Sequence, residues 1–150
     1  MWFSKAKNRA KAEPKPPFFV WSDLDHSVGV GMFDQEHQHL ATMMAQVHEA
    51  LQDERDRLRA LQLMERLVQE TRTHFSHEEG KMEEVQFPDL EAHAAEHAAL
   101  LTRAQDMLRQ FRTGALSALL FPAFLRDWLV PHIQNYDRKY SASLRRQGLR

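Results

Sequence analysis

Nine histidines and no cysteine define the chemistry open to this chain. Imidazole and carboxylate are the side chains available to hold a metal, which excludes thiolate zinc sites, disulfide frameworks and cysteine nucleophiles. His74 and Glu78 open and close the run HFSHE, and His93 and His97 bound HAAEH. Each is an i,i+4 pair, so on a helix both members project from one side, about 6 Å apart along the axis, and can reach one centre. His37 and His132 stand apart in sequence, yet with the other three they interrupt apolar stripes of helical period. One buried imidazole is readily satisfied by a hydrogen bond. Five on inward faces each need a partner, at about 1–3 kcal/mol apiece if left unpaired, and a shared metal supplies all of them.

The remaining four, His26, His39, His48 and His77, are expected to be solvated or locally bonded. His39 lies about 200° around its helix from His37, and His77 sits three residues from His74, beside the ligand face. His48 shares the apolar stripe but lies about 16 Å along the axis from His37, near a bundle end.

Two other metal chemistries are weighed by the same residues. HAAEH satisfies the HxxEH zinc-peptidase signature, with Glu96 as base, but that class needs an acidic ligand downstream, usually Glu, and no Glu follows Glu96. Ferritin-like oxidases need two Glu-x-x-His motifs, and only Glu36 to His39 fits, on the wrong face. The single GxG at Gly29 and Gly31 lacks a third glycine, and no P-loop or GxSxG is present, so nucleotide binding and serine hydrolysis have no motif.

The elements that must position these residues are helices. Leu (18) and Ala (17) outnumber Val, Ile and Thr together (13), and the first two keep their rotamer freedom in a helix. Residues 18–33, with Phe18, Phe19, Val20 and Trp21 ahead of SVGV, read as an ordered loop. A first helix is predicted from Asp34, as N-cap, to Asp53–Asp56; a second from about Leu58 to just before Phe87-Pro88; a third from Pro88-Asp89 to Gly114. A fourth carries Leu125, Trp128, Leu129, His132, Ile133 and Tyr136, starting between Ser117 and Pro122. Short connections favour an all-α, up-down-up-down antiparallel four-helix bundle.

Residues equidistant from the turn of an antiparallel hairpin lie at one height. With turns near residues 55, 86 and 115, His37 and His74 lie 18 and 19 residues from the first, and His97 and His132 lie 18 and 17 from the third. The midpoints of the two i,i+4 pairs lie 10 and 9 residues from the second. All five histidines therefore share one layer.

Net charge is -1, but residues 1–17 hold five basic side chains against Glu13 alone, a local +4. This Pro-ended arm is predicted to be disordered, with Trp2 and Phe3 as possible anchors for a weak contact on acidic surfaces; residues 18–140 form the bundle and 141–150 a basic tail. No apolar stretch approaches the roughly 20 residues of a transmembrane helix, and no signal-peptide core is visible, so a cytoplasmic protein without nucleic-acid partners is the expectation.

Trp21 with SVGV, DQEH ending at His37, HFSHE, HAAEH after Phe87-Pro88, and WLVPHIQNYD (Trp128 to Asp137) together resemble the hemerythrins, especially the bacterial ones, across about residues 18–140. The resemblance implies a non-haem di-iron centre, two iron ions bridged by oxo or hydroxo, with dioxygen as a reversible ligand and no catalytic residue. It assigns His93, His97 and His132 to one iron, His37 and His74 to the other, and Glu78 and Asp137 as bridges. It also lines an oxygen pocket with Leu40, Phe75, Trp128, Leu129 and Ile133. Two octahedral irons offer roughly twelve positions. The seven side chains and a bridging oxygen fill all but one, on the iron with two histidines, as suits one diatomic ligand. In an α-helix Asp137 would lie about 140° from His132 and approach from a different angle, and Pro131 would kink the helix just before a ligand. Use as a carrier, store or supplier of an oxygen-consuming enzyme is favoured over sensing of oxygen, nitric oxide or redox state, or iron buffering, because a sensor normally needs an output domain.

Overall fold

A computed structural model describes residues 16–115, 117 and 120–150. The predicted disorder and anchoring of the arm therefore fall, but for Pro16 and Pro17, outside the described residues. Among those described, every regular element is helical: α1 (Asp23–His26), α2 (Gly31–Ala50), α3 (Arg57–Glu84), α4 (Leu90–Thr113), α5 (Leu120–His132) and α6 (Arg138–Arg146). A 3-10 turn (Glu54–Asp56) precedes α3, and a π-helical turn (Ile133–Asp137) joins α5 to α6. None of these helices is long and apolar enough to cross a membrane. α2 packs on α3 and α5, and α4 packs on the same two, which closes a four-helix bundle of the expected up-down-up-down order. Its core runs through Phe33, Val47, Met64, Leu67, Phe111 and Phe121.

Helix ends follow local chemistry. α4 stops where Gly114 turns left-handed (φ 78°), and the Ala115 amide returns to the Gln110 carbonyl, the 6→1 bond of a Schellman cap. α3 ends the same way without glycine: Gln86 takes φ 52° and the Phe87 amide bonds the Met82 carbonyl just ahead of Pro88. The start of α2 differs from the sequence expectation. It begins at Gly31, so Asp34 lies inside the first turn, and its carboxylate instead accepts from the Val28 amide (2.8 Å) and the Ser27 hydroxyl (2.6 Å). Asp34 thus pins the preceding loop to the helix. At Gly29 (φ 73°) a Cβ would lie 2.3 Å from Arg145 Nη1, which donates to the Val28 carbonyl at 2.7 Å. The loop and α6 are fastened together there.

Two further differences lie at the chain's ends. Residues 18–33 are not all loop, since α1 and the first turn of α2 fall within them. The helix also runs past residue 140, the expected limit of the bundle, and buries Ser141 and Leu144 while exposing Arg145 and Arg146. α5 continues through Pro131, which is exposed, and the change in hydrogen bonding comes two residues later as the π turn.

Candidate metal centre

The seven residues His37, His74, Glu78, His93, His97, His132 and Asp137 meet in one buried layer, each 3% exposed or less. α2 supplies His37, α3 supplies His74 and Glu78, α4 supplies His93 and His97, and the α5 end with its π turn supplies His132 and Asp137. They sort into two groups. Nε2 of His97 lies 3.1 Å from that of His93 and 3.0 Å from that of His132. Two carboxylate oxygens complete this cluster: Glu78 Oε2 lies 3.3 Å from His97, and Asp137 Oδ1 lies 3.2 Å from His93 and 3.0 Å from His132. On the other side, Glu78 Oε1 lies 3.4 Å from His74 Nε2 and 3.7 Å from His37 Nε2, which is 3.3 Å from Asp137 Oδ2. Each carboxylate therefore turns one oxygen to each group of imidazoles.

The donor set fits two cations. Ligands at about 2.1 Å from one metal and at right angles to each other lie about 3.0 Å apart, which matches the spacing of the three clustered Nε2 atoms. They cannot all satisfy one another, since His97 carries its proton on Nδ1 and its Nε2 has one lone pair for two neighbours. His37 Nε2, His74 Nε2, Glu78 Oε2 and both Asp137 oxygens are buried without a hydrogen-bond partner. A cation in each group removes that cost for all of them. The five nitrogens and four carboxylate oxygens are borderline-to-hard donors of the kind that suit iron.

Outer contacts fix the tautomers of two of the five imidazoles. His74 Nδ1 donates to Glu36 Oε2 at 2.7 Å and His97 Nδ1 to Glu79 Oε1 at 2.8 Å, which leaves each Nε2 lone pair facing inward. The Tyr140 hydroxyl donates to Glu78 Oε1. Sequence reasoning missed all three partners. Glu36 and Glu79 adjoin ligand positions but carry no periodic signal of their own. Tyr140 was legible as the continuation of the stripe from Tyr136 to Leu144, had the helix been carried past residue 140.

The protonation states follow from this packing. Burial pushes the Glu36 carboxyl up, but hydrogen bonds from His74 and His77 outweigh it and hold the carboxyl below its ordinary range. Burial and Asp137 both raise Glu78, and His74, His97 and His37 bring it below normal. Burial pushes the Asp137 carboxyl up, but the imidazoles of His132, His37 and His93, with Nε2 atoms 3.0–3.3 Å from its oxygens, hold it well below the usual range. His74 is raised, its burial overcome by Glu78 and Glu36, whereas burial dominates at His132 and lowers it. Burial, reinforced by Glu78 and Asp137, lifts the Tyr140 hydroxyl well above its ordinary value, so it stays a proton donor.

The π turn places Asp137. Arg138 donates its amide to the Ile133 carbonyl, an i→i+5 bond, so residues five apart stack on one side. The 140° offset expected of an α-helix does not arise, and Asp137 and His132 face the centre together.

Of the five residues assigned to an oxygen pocket, Leu40, Trp128 and Leu129 line one apolar cavity of about 10 Å³ with Met44, Leu67 and Thr71 among its other walls. Phe75 and Ile133 do not line it. Phe75 instead lies flat on His97, ring centroids 3.6 Å apart, and Ile133 is fully buried. Trp128 stacks on His132 at 4.2 Å. Among the other histidines, His26 is buried and accepts from the Ser22 amide at 2.9 Å, His48 is half-buried against Phe18, His39 is exposed, and His77 pairs with Glu36.

Comparison with known proteins points the same way. The family model described as "Hemerythrin HHE cation binding domain" matches residues 28–143. A bacteriohemerythrin of Stenotrophomonas maltophilia is 30% identical over 122 residues, covering 81% of this chain and 78% of its own. One from Methylococcus capsulatus is 28% identical, covering 83% and 95%, and a myohemerythrin of Sipunculus nudus is 25% identical, covering 87% and 98%. A wild-type hemerythrin crystal structure superposes with a TM-score of 0.80 at 27% identity, covering 85% of this chain and 98% of that one.

Proposed function

Because the chain belongs to the hemerythrin family, we propose that it binds dioxygen reversibly at a di-iron centre, for storage, transport or supply to an oxygen-consuming enzyme. The observation that carries this reading is the division of each buried carboxylate between two imidazole groups, three nitrogens on one side and two on the other. His93, His97 and His132 would hold one iron, His37 and His74 the other, and Glu78 and Asp137 would bridge both. Held by these residues, two ferrous ions would supply the two electrons for reversible dioxygen binding.

The protein's own part is to orient and to keep dry. Glu36 and Glu79 lock the tautomers of His74 and His97, and Tyr140 holds Glu78 in its bridging pose. Leu40, Trp128 and Leu129 set an apolar wall beside the centre, and the one hydroxyl lining that cavity, on Thr71, donates to the Leu67 carbonyl at 2.8 Å. A wall with no side chain free to deliver a proton supports return of the ligand over its consumption.

Metal-free chain loaded anaerobically with ferrous iron should retain two ions and give visible absorption that appears with oxygen and disappears under argon. His74→Ala should abolish that spectrum. Retention of one zinc in preference to iron, with no oxygen-dependent colour, refutes the reading.

A further inference from the structure

The seven donors are almost wholly shielded from solvent, so a cation must reach them through some part of the surface. Among the described residues, three surface depressions touch a member of the set. A groove of about 290 Å³ between α2 and α3 reaches His74, a cleft of about 130 Å³ reaches His93, and one of about 160 Å³ reaches His132. Their chemistry separates them. The His93 cleft sets Lys139 against Asp89, which cancels its attraction for a cation. In the His132 cleft Asp127 is already paired with Arg126 at 2.8 Å, which leaves Glu96 as its one unpaired carboxylate, and His132 itself is the sole imidazole lining it. The groove at His74 gathers the most donors, with Glu36, Glu70, His39 and His77 beside His74 in its lining, although Arg66 lies 3.6 Å from Glu70 at its edge. Carboxylate and imidazole together suit a ferrous ion.

The groove also leads inward by steps. α2 presents Gln35 and Glu36 one turn ahead of His39, and α3 presents Glu70, then Thr73 and His74, then His77, each step one turn further along the facing helix. Glu36 joins surface to centre: its Oε1 accepts from His77 Nδ1 and its Oε2 from His74 Nδ1, both at 2.7 Å. Side-chain exposure falls along that line from 51% at His77 to 25% at Glu36 and 3% at His74. At its inner end His74 Nε2 is buried and has no hydrogen-bond partner.

We propose that this groove is a transient site for a divalent cation, through which ferrous iron reaches the His37 and His74 side of the centre, with His39, His77, Glu36 and Glu70 as successive donors. The proposal rests on the di-iron reading above, and its test keeps the two apart. Metal-free full-length chain is mixed anaerobically with ferrous iron, samples are quenched with a strong chelator at set times, and protected iron is counted. Iron content at the end point tests the centre, and the rate tests the groove. His39→Ala/His77→Ala should load about tenfold more slowly, the scale on which local charge and donors alter capture, and still finish at two ions per chain. His39→Ala/Glu70→Gln, which leaves the Glu36 to His74 bond untouched, should also slow loading. Asp89→Asn and Asp127→Asn, at the other two clefts, should not. Unchanged rates in both groove variants, or equal slowing in the cleft variants, overturn the proposal. Failure of the unaltered chain to retain iron overturns instead the reading on which it rests.

Discussion

Two side chains outside the seven test how the centre is held. Tyr140 is fully buried and its hydroxyl donates to a carboxylate that is itself wholly enclosed. A hydrogen bond to a buried charge is worth about 1.5–3 kcal/mol, so Tyr140→Phe should lower the stability of the metal-free chain by that order, measured by urea denaturation; an unchanged midpoint would contradict the role. Asp137 predicts a pH dependence. Its carboxyl lies well below the ordinary Asp value in the folded chain. The stability it contributes is therefore present above about pH 4 and is lost as the pH falls through the lower folded value. Metal-free chain should soften on acidification below about pH 4, and Asp137→Asn should flatten that part of the curve. A variant as acid-sensitive as the parent would place the effect elsewhere.

At the scale of the element, the α5 end combines two departures from regular helix, and only one of them serves the centre. The π turn rests on the Arg138 to Ile133 bond and aligns Asp137 with His132, whereas Pro131 is exposed and lies outside the i→i+5 ring. A proline inside a helix costs about 3 kcal/mol, offset in part by up to about 1 kcal/mol from its stiffening of the unfolded chain. Pro131→Ala should then raise stability by about 2 kcal/mol and leave iron content at two per chain, checked by urea midpoints and metal analysis. Loss of iron in that variant would show that the proline shapes the turn. Here too lies the limit of what the sequence discloses. The helices were legible because Leu and Ala stripes recur at 3.6 residues and stop at Gly114 or ahead of Pro88. The π turn was not, because counting at 100° per residue presumes i→i+4 bonding throughout. The start of α2 was misread for a related reason: Asp34 is a good capping residue that here bonds backward to Val28 and Ser27 from within the helix.

For the whole molecule, the arrangement of the bundle is inseparable from what it encloses. Counting residues from each turn placed five histidines in one layer, and the chain does bring them together, because antiparallel neighbours joined by short turns have no freedom to slide. That same layer is the bundle's weak point without metal. It buries five imidazoles and two carboxylates in a core otherwise built of Phe, Met, Leu and Val, with several polar atoms lacking partners. Cations that bind the folded chain alone add stability by mass action, about 4 kcal/mol for each site at a free concentration a thousandfold above its Kd. Two sites give about 8 kcal/mol, and in a chain of this size each kcal/mol moves Tm by about 2–4 °C. Anaerobic ferrous loading should therefore raise Tm by roughly 15–30 °C, and chelation should reverse the gain. His74→Ala, with the three-histidine side intact, should keep about half of it. A loaded chain that melts within about 5 °C of the metal-free one would mean that the layer is satisfied without cations, and the two-metal reading of its geometry would fail.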